Sequence, residues 1–217
     1  MSASGIDFGD LRRLQPVSRK YGFDRGTPID RYYNRRFFAQ HAADIGGCVL
    51  EIGDDHVTRG IGGERVVSAD VLNLHAGAPG TTIVTDLATD SSIPDASFNC
   101  VIVEQTLQLI FDVAAALRTL ERILRPGGVL LLTVPGTISQ LCPGKWRNSW
   151  CWGFTTYALH RLLSGVFVPE RCTIYSYGNV LASVAFLEGI AAEELTSGEL
   201  NHEDVLYPLL IAVRAVK

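Results

Sequence analysis

A chain of 217 residues suits one well-buried domain and is short for two. Hydrophobic residues make up 47% and charged residues 19%, below the roughly 25% of an average soluble protein, which excludes disorder over most of the length. The 19 basic and 23 acidic residues give a formal charge of −4, with basic residues in short pairs such as Arg12-Arg13 and Arg35-Arg36. Neither nucleic acid nor an acidic membrane is therefore an expected partner, because counterion release needs a concentrated cationic face.

The longest apolar run, Val205 to Val213, contains Pro208 and falls far short of the roughly 20 residues that span a bilayer. With no basic segment followed by an apolar stretch at the start, a soluble, cytosolic protein is expected. Cys48, Cys100, Cys142, Cys151 and Cys172 are scattered and never spaced as Cys-x-x-Cys, so they read as reduced packing thiols rather than a disulfide framework or a structural metal site.

Residues 1–24 lack sustained periodicity and are expected to form an extended arm, ahead of a single domain over 25–217. Thr27-Pro28-Ile29-Asp30 predicts a helix start, with a hydroxyl cap, proline at the first helical position and an acid in the first turn. Tyr33, Phe37 and Phe38 follow at helical spacing, and Gly46-Gly47 predicts the end. Cys48 to Ile52, Arg65 to Asp70, Thr82 to Asp86, Phe98 to Val103 and Val129 to Val134 are short, bounded runs of the kind that form strands covered on both faces. Between the last two, Asp112 caps a helix with an apolar stripe of Val113, Ala116, Leu117, Leu120, Ile123 and Leu124, which Pro126-Gly127-Gly128 ends.

Thr137 to Trp152 holds all three tryptophans without regular period and reads as a long functional loop. A short helix over Tyr157 to Leu163, a strand over Cys172 to Tyr177, an Ala-rich helix over Val180 to Leu195, a polar connection over Ser197 to Asp204 and a final strand over Pro208 to Val216 complete the chain. Alternating strands and helices argue for an α/β fold with a parallel sheet and right-handed crossovers.

In such a sheet, ligands collect beyond the carboxyl ends of the strands. The first four strands are expected to end in Glu51-Ile52-Gly53-Asp54-Asp55, Asp70, Asp86-Leu87 and Glu104-Gln105, so acids converge on one edge. This anionic rim suits a ligand with ribose hydroxyls, an amino group and a positive centre better than a pyrophosphate, which wants a glycine-rich turn. The turn Gly53 to Gly63 also lacks the Gly-x-Gly-x-x-Gly spacing of dinucleotide sites.

Val49-Leu50-Glu51-Ile52-Gly53, Asp86-Leu87 with Ile93 to Val101, and Leu124-Arg125-Pro126-Gly127-Gly128-Val129-Leu130 resemble motifs of the class I S-adenosylmethionine-dependent methyltransferases over about residues 48 to 135. Arg25 to Tyr33 and Gln105 to Ile110 further resemble a bacterial type 11-like subgroup associated with glycosyltransferases and the tailoring of sugars or secondary metabolites. The chain departs from the family at Asp54 and Asp55, where the first motif carries glycine, and at Asn99, where aspartate is commoner.

The resemblance implies a Rossmann-like, seven-stranded, mostly parallel sheet with helices on both faces and an antiparallel last strand. It implies S-adenosylmethionine as cofactor and in-line methyl transfer to a small polar acceptor, a sugar or natural product, with oxygen as the first choice of acceptor atom. Glu51 would hold the methionine amine directly or through water, with Gly53, Asp54 and Glu104 beside the cofactor. Asp70 would take the ribose diol, and Asp86 with the Leu87 amide the adenine edge. Glu104, His56 and His160 are the candidate general bases. Tyr33, Arg31, Trp146, Trp150 and Trp152 are the candidate substrate contacts, and no metal is expected. A homodimer or a glycosyltransferase partner is the associated expectation. The alternatives are a non-catalytic partner subunit, which the eroded glycine motif favours, and an enzyme that binds the cofactor for a reaction other than methylation.

Overall fold

The computed structural model describes residues 9–89, 92–139 and 148–217. Seven strands, β1 (Gly47–Ile52), β2 (Val66–Asn73), β3 (Ile83–Val84), β4 (Phe98–Glu104), β5 (Leu124–Pro135), β6 (Cys172–Tyr177) and β7 (Leu210–Val216), form one sheet in the order β3-β2-β1-β4-β5-β7-β6. β1 to β5 run parallel, and β7 runs antiparallel to both of its neighbours. The helices are α1 (Ile29–Gln40), α2 (Val113–Ile123), α3 (Thr156–Ser164), α4 (Val180–Glu188) and α5 (Ser197–Asn201). None of the described helices is long and apolar enough to cross a membrane.

The alternation of side chains along each strand divides the core between the two faces. Leu50, Val101, Val103, Leu130 and Leu132 pack under Leu117 and Leu120 of α2 and Leu159 and Leu163 of α3. Their neighbours Val49, Cys100, Ile102 and Leu131 face Phe37 and Phe38 of α1 and Phe186 of α4. A sheet covered on both sides explains why these strands are almost continuously apolar.

α2 forms with its predicted cap, Asp112 accepting the Ala115 amide at 2.9 Å, and Val113, Ala116, Leu117, Leu120 and Ile123 are buried, but it ends at Ile123: Leu124, expected in the stripe, and Pro126-Gly127-Gly128 already belong to β5, where Leu124 pairs with Phe98. Other boundaries shift for tertiary reasons. Pro28 takes the capping position of α1, while the Thr27 amide bonds Glu193 at 2.8 Å, so the expected hydroxyl cap is not made. α1 stops at Gln40, short of Gly46-Gly47, where Asp44 is drawn into a two-pronged 2.8 Å ion pair with Arg214 of β7. The helix expected to reach Leu195 ends at Glu188, because Gly189 adopts a left-handed conformation at φ 70°. A Cβ there would lie 2.2 Å from the Ser18 carbonyl oxygen, so only glycine permits both the turn and the docking of the arm. The expected polar connection contains α5, opened by a reciprocal cap between Thr196 and Glu199.

β2 differs most consequentially. It continues three residues past Asp70, because Leu72 and Asn73 pair with Ile83 and Val84 of β3. β2 and β3 are joined by a loop over 74–82 rather than a crossover helix, which leaves Val67 and Val84 exposed at that edge.

Candidate active site

A cavity of about 800 Å³ opens at the carboxyl edge of the sheet. Gly53, Asp54 and His56 after β1, Leu72 and Asn73 of β2, Asp86 and Leu87 after β3, and Glu104 and Gln105 at the end of β4 form one side. Tyr21 and Phe23 of the arm, Asp30 and Arg31 of α1, Trp150, Phe186 and Leu209 also line it.

Gly53 turns the chain at φ 100°, and a Cβ built on it would meet nothing within 4 Å, so its backbone is bare toward the cavity. The carboxylate of Glu51, 1% exposed, accepts the amides of Val57 at 3.0 Å and Thr58 at 2.8 Å. Burial pushes this carboxyl above its ordinary range, against the pull of those hydrogen bonds. Glu51 is not among the cavity-lining side chains. Both of its oxygens accept amides of the loop that follows β1, so of the two expected modes, direct or through water, its burial favours the one through water.

Asp54, where the family's first motif carries glycine, and His56 build an ion-pair network. His56 Nδ1 meets Asp54, and its Nε2 lies 3.0 Å from Glu104 Oε2. Glu104 Oε1 accepts from Arg31 and, at 2.7 Å, from Asn34. The hydrogen bond to Glu104, supplemented by Asp54, overcomes desolvation and raises His56 to about 9. Burial pushes Glu104 up, but His56 and Arg31 prevail and hold it below the usual range. At neutral pH His56 is a cation and Glu104 an engaged anion, so neither is the free proton acceptor expected of a general base. Glu51, Asp54 and His56 also bring ligating atoms within 4.8 Å of one another. Their existing bonds make this a closed network of charges.

Asp70 pairs with Leu50 within the strand rather than ending it, and its carboxylate accepts the Thr82 hydroxyl at 2.8 Å. It does not line the cavity, whereas Asn73 stands at the strand end. Asn73 Nδ2 donates to the Gly53 carbonyl at 3.0 Å and to Thr81 Oγ1 at 2.9 Å, fixing the amide with its oxygen available as acceptor. The apolar pair Val71-Leu72 was the sequence signal that the strand continues past Asp70. Asp86 and Leu87 do line the cavity, with Asp86 accepting the Ala88 amide at 2.8 Å.

Of the expected acceptor contacts, Arg31 and Trp150 line the cavity. Tyr33 is fully buried, donates to the Leu200 carbonyl at 2.8 Å and stacks on Tyr177 with ring centroids 5.8 Å apart, so it is a core residue. Trp152 anchors its loop outside the cavity, with Nε1 donating to the Ile110 carbonyl at 3.0 Å and its ring against Phe111. His160 lies on the exposed face of α3, away from the cavity lining. Trp146 falls outside the described residues. Tyr21 and Phe23, which the sequence did not mark as site residues, line the cavity together with Asp30, because the arm and the first turn of α1 fold over the sheet edge.

The fold is shared with known proteins. Residues 64–132 match the family described as methyltransferase domain. A solved S-adenosylmethionine-dependent methyltransferase from Thermotoga maritima is 16% identical, with 90% of this chain and 94% of that one covered and a TM-score of 0.61. One from Mesorhizobium loti is 17% identical, covering 90% and 100%, with a TM-score of 0.60. Phosphoethanolamine N-methyltransferase 2 of Haemonchus contortus, solved with S-adenosyl-L-methionine, is 15% identical, covering 97% of this chain and 55% of that one, with a TM-score of 0.56. No curated protein matches the sequence. The fold is thus the Rossmann-like fold of S-adenosylmethionine-dependent methyltransferases.

Proposed function

We propose that the protein binds S-adenosylmethionine in the edge cavity and transfers its methyl group to a hydroxyl oxygen of a small polar acceptor, a sugar or a natural product. The observation that carries this reading is the meeting, in one cavity, of the bare Gly53 turn with Asn73, Asp86 and Leu87 at successive strand ends. These residues fit the cofactor. The Gly53 backbone permits close approach, and Asn73 Oδ1 is an acceptor for a ribose hydroxyl. Asp86 and the Leu87 backbone border the space for an adenine edge. Arg31 and His56 offer positive charge, and Asp54 and Glu104 negative charge, toward a zwitterionic amino acid end.

When bound, the cofactor supplies a methyl group activated by a sulfonium. The chain's own contribution is orientation, which accounts for most of what a protein adds to an in-line displacement. Trp150 gives a flat surface for an acceptor ring, and Ser139, Ser149 and Gln105 give hydroxyl and amide groups for its polar substituents. Isothermal titration with S-adenosylmethionine and S-adenosylhomocysteine tests the reading: binding of both is expected, and absence of either at millimolar concentration overturns it.

A second reading, a non-catalytic partner subunit, is favoured by one observation: the loop after β1 is closed by ion pairs where the family carries glycines. It predicts weak or absent cofactor binding and copurification with a partner protein.

A further inference from the structure

We propose that Asp30, in the first turn of α1, takes the proton from the acceptor hydroxyl. This rests on the methyl-transfer reading and adds the base that reading lacks. The argument begins with the carboxylates around the cavity. Asp54 is paired with His56, Glu104 with Arg31, Asn34 and His56, and Glu51 holds two backbone amides. Asp86 bonds the Ala88 amide, and Asp112 caps α2 through the Ala115 amide. Asp30 also lines the cavity, half-buried, but its Oδ1 accepts the Arg31 backbone amide at 2.8 Å and no side-chain ion pair to it forms among the described residues.

Its position suits the task. Arg31 ties the first turn of α1 to Glu104 at the end of β4, while Pro28 bridges to Ala191 and the Thr27 carbonyl accepts the Ala192 amide at 2.8 Å. The first turn of α1 is therefore held between the β4 end and the segment after α4, and Asp30 shares the cavity lining with Tyr21 and Phe186, whose rings lie 5.8 Å apart. Burial, reinforced by the charge of Glu104 and opposed by that of Arg31, pushes the Asp30 carboxyl above its ordinary range, which is the direction that strengthens a base.

In the step, the acceptor oxygen forms a bond to the methyl carbon as the carbon–sulfur bond breaks and sulfur keeps the electron pair. The hydroxyl proton passes to the Asp30 carboxylate and then to solvent. The products are a methyl ether, S-adenosylhomocysteine and a proton, so no further reactant is needed.

The test uses para-nitrophenol, a flat hydroxyl compound whose ionisation is read by absorbance, bound to the full chain saturated with S-adenosylhomocysteine. Arg31 and Glu104 are the charged groups that act on Asp30, and Asp54 and His56 line the same cavity, so the readout is the difference between wild type and Asp30→Asn, in which those groups are unchanged. We expect the apparent pKa of the bound probe to be about one unit higher in wild type, a tenfold shift toward the protonated phenol. S-adenosylhomocysteine affinity should stay within about twofold, and turnover of any accepted hydroxyl compound should fall by about 100-fold in Asp30→Asn. Equal probe pKa values in the two proteins overturn the proposal, as does failure of the probe to bind while S-adenosylhomocysteine binds. A pKa difference that persists when S-adenosylhomocysteine itself fails to bind removes the methyl-transfer reading and keeps Asp30 as the proton acceptor. If Asp30→Asn does not fold, Asp30→Ser serves as the same comparison.

Discussion

His56 and Glu104 illustrate how a pair of titratable side chains at a site is neutralised as acid–base chemistry and retained as structure. His56 sits at about 9 in the folded chain against an ordinary 6.5, so the folded state holds a proton that the unfolded state releases between those values. Its stabilising effect is complete below about pH 6.5 and is lost as pH rises through about 9. The melting temperature of wild type should therefore decline across that window more steeply than that of His56→Gln; parallel profiles would show that the ion pairs contribute nothing. Along the same sheet edge, the strand register distinguishes Asn73 from Asp70. Asn73→Leu should weaken S-adenosylhomocysteine binding by about 1–3 kcal/mol, the usual effect of leaving a polar ligand group unpartnered. Asp70→Ala should leave that affinity within about twofold, since its carboxylate serves Thr82. Calorimetric titration of both variants checks the pair. Asn99 needs no role at the site: it accepts the Cys48 amide and an Arg125 nitrogen at the opposite edge of the sheet.

At the scale of elements, local chemistry and packing contribute in different proportions. α2 carries its own start signal and its own apolar stripe, and both operate in the folded chain. Asp112→Ala should cost about 1 kcal/mol through the lost cap. Leu117→Ala, at a fully buried position between α2 and the sheet, should cost about 2–5 kcal/mol through the lost contacts and residual cavity. Chemical denaturation measures both, and a larger loss for the cap than for the core would reverse this ranking. α4 and its C-terminus depend instead on a neighbour. Gly189 ends the helix in a left-handed turn, and the Ser18 amide then bonds the Glu188 carbonyl at 3.0 Å. The capping pattern Thr-x-x-Glu at Thr196 to Glu199 was present for α5, but a helix of one and a half turns has too few periodic positions to stand out.

Over the whole molecule, the arm completes the cavity that the sheet begins. Tyr21 packs on Phe186 and joins Phe23 in the lining, so removal of residues 1–24 exposes apolar surface and opens that side. The truncated chain should melt several degrees lower, because a domain of this size shifts by roughly 2–4 °C per kcal/mol. Its para-nitrophenol affinity should fall by at least tenfold while S-adenosylhomocysteine affinity falls less; equal losses would show that the arm supports the fold alone. The chain by itself determined the alternation of strands and helices, the two-faced core and the approach of Glu51, Gly53, Asp86 and Glu104 to one sheet edge, because those features depend on residue type and short-range period. Tertiary structure alone decided that β2 ends at Asn73, that His56 and Glu104 hold each other's charge, and that Asp30 has no such ion pair among the described residues. Strand ends are set by cross-strand pairing, and the state of a carboxylate is set by groups many positions away in the chain, neither of which a local pattern contains.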